Sequence, residues 1–134
     1  MPVLRDDLIG LRSIDDIIKA RQLVRDCAVL QGFSLVDQTK LVTAASELAR
    51  NTVIHGGGGE MRLEAVNNGP RRGVKVTFMD AGPGIPDIAL AMKDGYTTRG
   101  GLGLGLSGSK RLVNEFEIES EPGKGTRVSI VRWR

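Results

Sequence analysis

The sequence predicts an α/β (α+β) two-layer sandwich, a mixed, largely antiparallel sheet with helices on one face, formed by residues 1–134 as a single domain. Three observations point there. Apolar residues recur at helical spacing in two consecutive segments near the N-terminus. Strand-like segments come in neighbouring pairs joined by short turns, which favours antiparallel pairing. Each layer then has one apolar side that only the other can cover.

Residues 3–11 (Val-Leu-Arg-Asp-Asp-Leu-Ile-Gly-Leu) are the expected first strand. Ser13 followed by Asp16 marks a helix start, because a serine oxygen there accepts from a backbone N–H of the first turn. Ile14, Ile17, Ile18, Val24 and Ala28 then recur at helical spacing up to Gly32. Ser34 with Asp37 repeats the signal. The second helix runs through Leu41, Ala45, Leu48 and Thr52 to the glycine run 56–59, which ends it. Residues 61–66 form the next expected strand and Asn67-Asn-Gly-Pro a turn. Val74, Val76 and Phe78 alternate with Lys75 and Thr77, predicting a half-buried strand that ends at Asp80. Residues 81–103 hold six glycines and form an expected long irregular segment, the kind of loop that carries function in compact domains. A third helix is expected over 104–115. Strands at 116–120 and 126–133, turned at Glu-Pro-Gly-Lys-Gly, close the chain.

Composition excludes several classes of function. Apolar residues make up 40% and charged residues 26%, ordinary for a globular protein. Aromatics at 4% are too few for a surface that stacks single-stranded bases. The net charge of +3 comes from 19 basic and 16 acidic residues spread along the chain, so no nucleic-acid partner is expected. The terminal Arg127, Arg132 and Arg134 read as flanks of a final strand. Cys27 is the one cysteine, which excludes an internal disulfide and fits a reducing compartment. No leader-like start and no apolar stretch near the roughly 18 residues of a membrane span are present, so a cytoplasmic protein with no membrane contact is expected.

Three short elements carry chemistry. Glu47, Asn51 and His55 recur every four residues. On a helix they form a polar stripe drifting about 40° per step beside the Leu41/Ala45/Leu48/Thr52 face. Neutral Asn51 suits Mg²⁺, which takes oxygen ligands and shares them with phosphates. Glu47 can accept a proton from an attacking hydroxyl. The same residues equally suit a solvated helix face. Asp80 ends a buried-type strand and opens Ala-Gly-Pro-Gly. A carboxylate there can accept from adenine's exocyclic amine, with Gly82 and Gly84 admitting a flat base; Asp-x-Gly is also good turn chemistry. Gly100, Gly101, Gly103 and Gly105 precede a helix, so successive backbone N–H groups can turn toward a phosphate. A Gly-x-Gly-x-x-Gly at Gly103, Gly105 and Gly108 follows no strand, which removes a dinucleotide-binding reading. No P-loop motif and no protein-kinase His-Arg-Asp or Asp-Phe-Gly occurs.

Taken together the set resembles the GHKL ATPase superfamily, with its Bergerat-type ATP-binding fold. Glu47-x-x-x-Asn51 is similar to the N box, Asp80-x-Gly82-x-Gly84 to the first glycine box, and Gly101-Leu-Gly103-Leu-Gly105 to the second. Gly125-Thr126 resembles the family's closing Gly-Thr near the base. Asp80-Ala-Gly-Pro-Gly-Ile-Pro-Asp-Ile, Asp94-Gly-Tyr-Thr-Thr-Arg-Gly-Gly-Leu-Gly and Lys110-Arg-Leu-Val-Asn-Glu-Phe look like the RsbT-type serine/threonine switch kinases of the bacterial stressosome. The resemblance implies ATP and Mg²⁺ as cofactors, Glu47 as base, Asn51 as metal ligand and Asp80 as adenine reader. It extends the nucleotide-contacting set to Gly82, Gly84, Thr98, Gly100, Gly101, Leu102, Gly103, Leu104, Gly105 and Thr126, with Arg99 or Lys110 as the cation for the γ-phosphate. It implies STAS-domain proteins as substrates and sequestering scaffold, and a serine phosphatase or other output protein downstream in stress signalling. The alternative is an anti-sigma factor or phosphatase-activating module with ATP as an allosteric ligand. Apolar residues on the first helix are open to either core or interface.

Overall fold

In the computed structural model, residues 3–85, 88–93 and 105–134 are described. The chain runs β1 (Val3–Leu11), α1 (Ile14–Leu30), α2 (Leu35–Ile54), β2 (Gly59–Asn68), β3 (Arg71–Asp80), α3 (Ile88–Ala91), α4 (Gly105–Arg111), β4 (Glu115–Ser120) and β5 (Thr126–Trp133). The sheet order is β1-β2-β3-β5-β4, and all four pairings are antiparallel, where the sequence allowed a mixed sheet.

Both serine caps form. Ser13 Oγ accepts from Asp16 N at 3.4 Å, and the Asp16 carboxylate takes the Arg12 N–H at 2.8 Å, a reciprocal cap. Ser34 Oγ accepts from Asp37 N at 3.1 Å. At the end of α1, buried Gln31 donates to the carbonyls of Val66 and Gly73, tying the helix to two strands. Ile14 and Ile18 of α1 stay exposed.

The core lies between the layers. Met61, Leu63 and Ala65 of β2 stand opposite Phe78, Val76 and Val74 of β3, and Val128 and Ile130 of β5 continue the rows. Ala20, Val24, Cys27 and Ala28 of α1 and Leu41, Ala45 and Leu48 of α2 cover them. Each large side chain withdrawn from water this way stabilises the fold by about 1.5–3 kcal/mol. Burial pushes the Cys27 thiol up to about 11, so it stays an unreactive core group.

Four expectations change. Thr77, expected to be solvated, is buried on the far face, where its hydroxyl meets Ser129 Oγ at 3.2 Å. Near it Val66, Val131 and Trp133 make a small second core. Arg71 lies over the Trp133 ring at 4.6 Å, and Trp133 Nε1 donates to Glu115 at 2.7 Å. That face is thus partly dry with no helix over it among the described residues. β2 also runs further than expected, so Asn67 and Asn68 pair with Arg72 and Arg71 and only Gly69 and Pro70 form the turn. The third helix stops at Arg111 instead of 115, because Asn114 is captured by β5: its N–H donates to Val131 O and its side chain accepts from Trp133 N. The irregular segment contains the four-residue α3.

Arg132 ties β5 to α2 and to the turn after α4, donating to Asp37 Oδ1 at 2.6 Å and to Leu112 O at 2.9 Å. The guanidinium beside Asp37 holds its carboxyl below the usual value. A carboxyl lowered by folding stabilises the fold above its unfolded pKa, and that contribution is lost as pH falls through the folded one. Asp37→Asn should therefore be less stable than wild type at neutral pH, with the gap closing below about pH 4. Denaturant melts across pH 3–7 check this, and a gap constant with pH would refute it.

Candidate functional site

Register assembles the site at one end of the sheet. Leu11, Gly59, Asp80, Thr126 and Ser120 are successive cross-strand partners on β1, β2, β3, β5 and β4. Asp80 follows Val74, Val76 and Phe78 at period two, and Thr126 precedes Val128 and Ile130, so the row faces the helices. Gly59 stands on one side of Asp80, where a Cβ would lie 1.9 Å from Met79 O, and Thr126 stands on the other.

Asp80 is half buried, and its Oδ1 accepts from Gly82 N at 2.9 Å. The turn and base-reading roles are therefore compatible: one oxygen builds the turn, and a carboxylate has further acceptor sites on the other. The helix α2 ends directly against this carboxylate. Asn51 O accepts from Gly56 N at 3.0 Å, and a Cβ on Gly56 would overlap the Asp80 side chain. A Cβ on Gly82 would in turn lie 2.6 Å from Gly56 O. Gly84 (φ +77) and Gly125 (φ +84) have left-handed backbone, and a side chain on either would strike the carbonyl of Glu121 or Asp80. The end of α2, the turn after β3 and the last hairpin thus close on one another through contacts that only glycine permits.

Glu47 and Asn51 are half buried on the flank of α2, beside its buried stripe of Leu41, Ala44, Ala45, Leu48 and Thr52. The helix packs on α1, α4 and β3. Gly105, at φ +69, opens α4. Lys110 is exposed in the last turn of α4, at the opposite end of that helix from Gly105. Thr98, Arg99, Gly100, Gly101, Leu102, Gly103 and Leu104 lie outside the described residues.

Two contributors carry no motif. Gly56 reads in sequence only as a helix terminator, since its approach to Asp80 is tertiary. Ser120 accepts from Ile85 N at 2.7 Å, donates to Gly125 O at 3.0 Å and lies 2.8 Å from Thr126 Oγ1, fastening the glycine turn to the hairpin. Its one sequence signal is its place across the hairpin from Thr126.

The residues present fit a nucleotide. A half-buried carboxylate stands beside a hydroxyl at the sheet end, and a neutral amide oxygen sits one turn from a carboxylate on α2. Among the described residues no three His, Cys, Asp or Glu side chains gather as a metal cage. A magnesium ion there would rely on Asn51 together with phosphate and water oxygens, as that ion commonly does.

Known proteins resemble this chain over most of its length. Residues 36–134 match the model of the family described as "Histidine kinase-, DNA gyrase B-, and HSP90-like ATPase". The chain is 48% identical over 118 residues to the serine/threonine-protein kinase RsbT of Bacillus subtilis, covering 88% of this chain and 89% of the relative. It is 32% identical over 120 residues to an anti-sigma F factor of Thermoanaerobacter, covering 85% of this chain and 82% of that protein. Among solved structures, the RsbU and RsbW domains of Rv1364c from Mycobacterium tuberculosis match with a TM-score of 0.66 at 22% identity. That match covers 97% of this chain but only 33% of the other, so this chain spans a third of that protein, and the likeness is one of fold. The chain belongs to the histidine kinase-, DNA gyrase B- and HSP90-like (GHKL) ATPase family.

Proposed function

We propose that this chain is a Mg·ATP-dependent protein serine/threonine kinase that phosphorylates STAS-domain proteins and acts as a partner switch in stress signalling. The observation that supports it is the row at the sheet end, where Asp80 and Thr126 are cross-strand neighbours and the helix bearing Glu47 and Asn51 ends on Asp80 through Gly56. The kinase name of the Bacillus subtilis relative supports the reaction class. Asp80 holds the base by its amine, Asn51 supplies an oxygen to the metal, and Glu47 orients and deprotonates the acceptor hydroxyl. Magnesium, when bound, neutralises charge on the transferring phosphoryl group, where most catalysis of this reaction lies. The proposed setting is the cytoplasm; among the described residues no helix is long and apolar enough to cross a membrane.

The test is incubation with γ-labelled ATP, Mg²⁺ and STAS-domain proteins of the same genome, with stable label expected on Ser or Thr. Asn51→Ala should retain the fold and lower Mg²⁺-dependent transfer by about 100-fold; transfer at the wild-type rate would refute the metal assignment. The anti-sigma F relatives favour a second reading, a sigma-sequestering module with ATP as allosteric ligand. ATP binding and tight sigma binding without any label would select it.

A further inference from the structure

Resting on the nucleotide site proposed above, we infer that Ser120 is a positioning residue that fixes the Thr126 hydroxyl as an acceptor toward the base, making the site select a 6-amino over a 6-oxo purine. A serine hydroxyl has one proton and two lone pairs. Ile85 N, 2.7 Å away, can only donate and takes one lone pair. Gly125 O, 3.0 Å away, can only accept and takes the proton. Thr126 Oγ1 at 2.8 Å is left facing the second lone pair, so it donates to Ser120. The reverse polarity would deprive the carbonyl of buried Gly125 of this partner, which is unfavourable.

With its proton committed, Thr126 presents only lone pairs to anything entering from the helix side. Its partner across the ladder, Asp80, is also an acceptor. Two adjacent acceptors suit an exocyclic amine that contacts them directly, and disfavour a carbonyl oxygen at the same place. Ser120 touches no base in this account. It acts through Thr126, and discrimination between bases, more than affinity, reports on it.

The experiment is calorimetric titration of ATP, ITP and purine riboside triphosphate into wild type, Ser120→Ala, Ser120→Thr, Thr126→Val and the Ala/Val double variant. Wild type should prefer ATP over ITP. Ser120→Ala should reduce that preference about fivefold by freeing the Thr126 rotor, and Ser120→Thr should retain it. Thr126→Val should reduce it too, and adding Ser120→Ala to Thr126→Val should change it no further. Equal weakening of ATP and ITP by Ser120→Ala would overturn the inference, because a residue that merely braces the hairpin gives that result. Should Ser120→Ala fail to fold, an unchanged preference in Thr126→Val overturns it alone. Wild type that binds no nucleotide would refute the proposed site itself, an outcome distinct from either.

Discussion

Replacing Glu47 by Gln is expected to leave ATP binding intact and slow phosphoryl transfer by about 10²- to 10⁴-fold, the usual contribution of a positioned general base. Glutamine has nearly the same size and helix propensity, and Glu47 is half buried on the flank of α2 outside its buried stripe. Folding should therefore be unaffected. What changes, under the proposed function, is the loss of a carboxylate able to take the proton of the attacking hydroxyl, while Asn51 one turn on would still serve the metal. Single-turnover transfer from labelled ATP measures the chemical step, and titration of the nucleotide measures binding apart from it. Transfer at the wild-type rate would remove Glu47 from the reaction. Loss of binding and transfer together would assign it to the nucleotide instead.

Asp80→Asn separates the turn from the base. The turn requires an acceptor for Gly82 N, so the asparagine oxygen should take that place as Asp80 Oδ1 does. Its NH₂ group then occupies the position of the second carboxylate oxygen and, under the proposed function, would meet the adenine amine donor to donor. Losing a hydrogen bond to a charged group costs about 1.5–3 kcal/mol, so ATP affinity should fall roughly 10- to 150-fold with the melting temperature nearly unchanged. Calorimetry and a thermal melt of the same preparation check both parts. Unchanged affinity in a folded variant would mean that Asp80 serves only its turn.

Most of the architecture was legible because its signals are local. Serine with aspartate three residues on started both long helices, and the strand expected over 126–133 matched β5 from end to end. Local signals misled where distant groups decide. Leu112 and Val113 prolong a helical rhythm, yet Asn114 bonds to β5 and ends it. Thr77 looks solvent-facing by period two, yet Ser129 on another strand partners it in the dry far face. The candidate site divides the same way. Asp80, Gly82 and Gly84 announce themselves by turn chemistry, and Glu47 and Asn51 by helical spacing. Gly56 and Ser120 do not, because their roles exist only once strands far apart in sequence are aligned.

Gly59, Asp80, Thr126 and Ser120 come from four different strands and face the helices only if every neighbouring pair is correctly aligned. Side chains alternate faces along a strand, so a slip of one residue in any ladder would send one member to the opposite side. A mispaired chain would keep much of its secondary structure and have no place for a purine. Under the proposed function, ATP then acts as a referee of folding, adding its binding energy to the one alignment that recognises it and to no near miss.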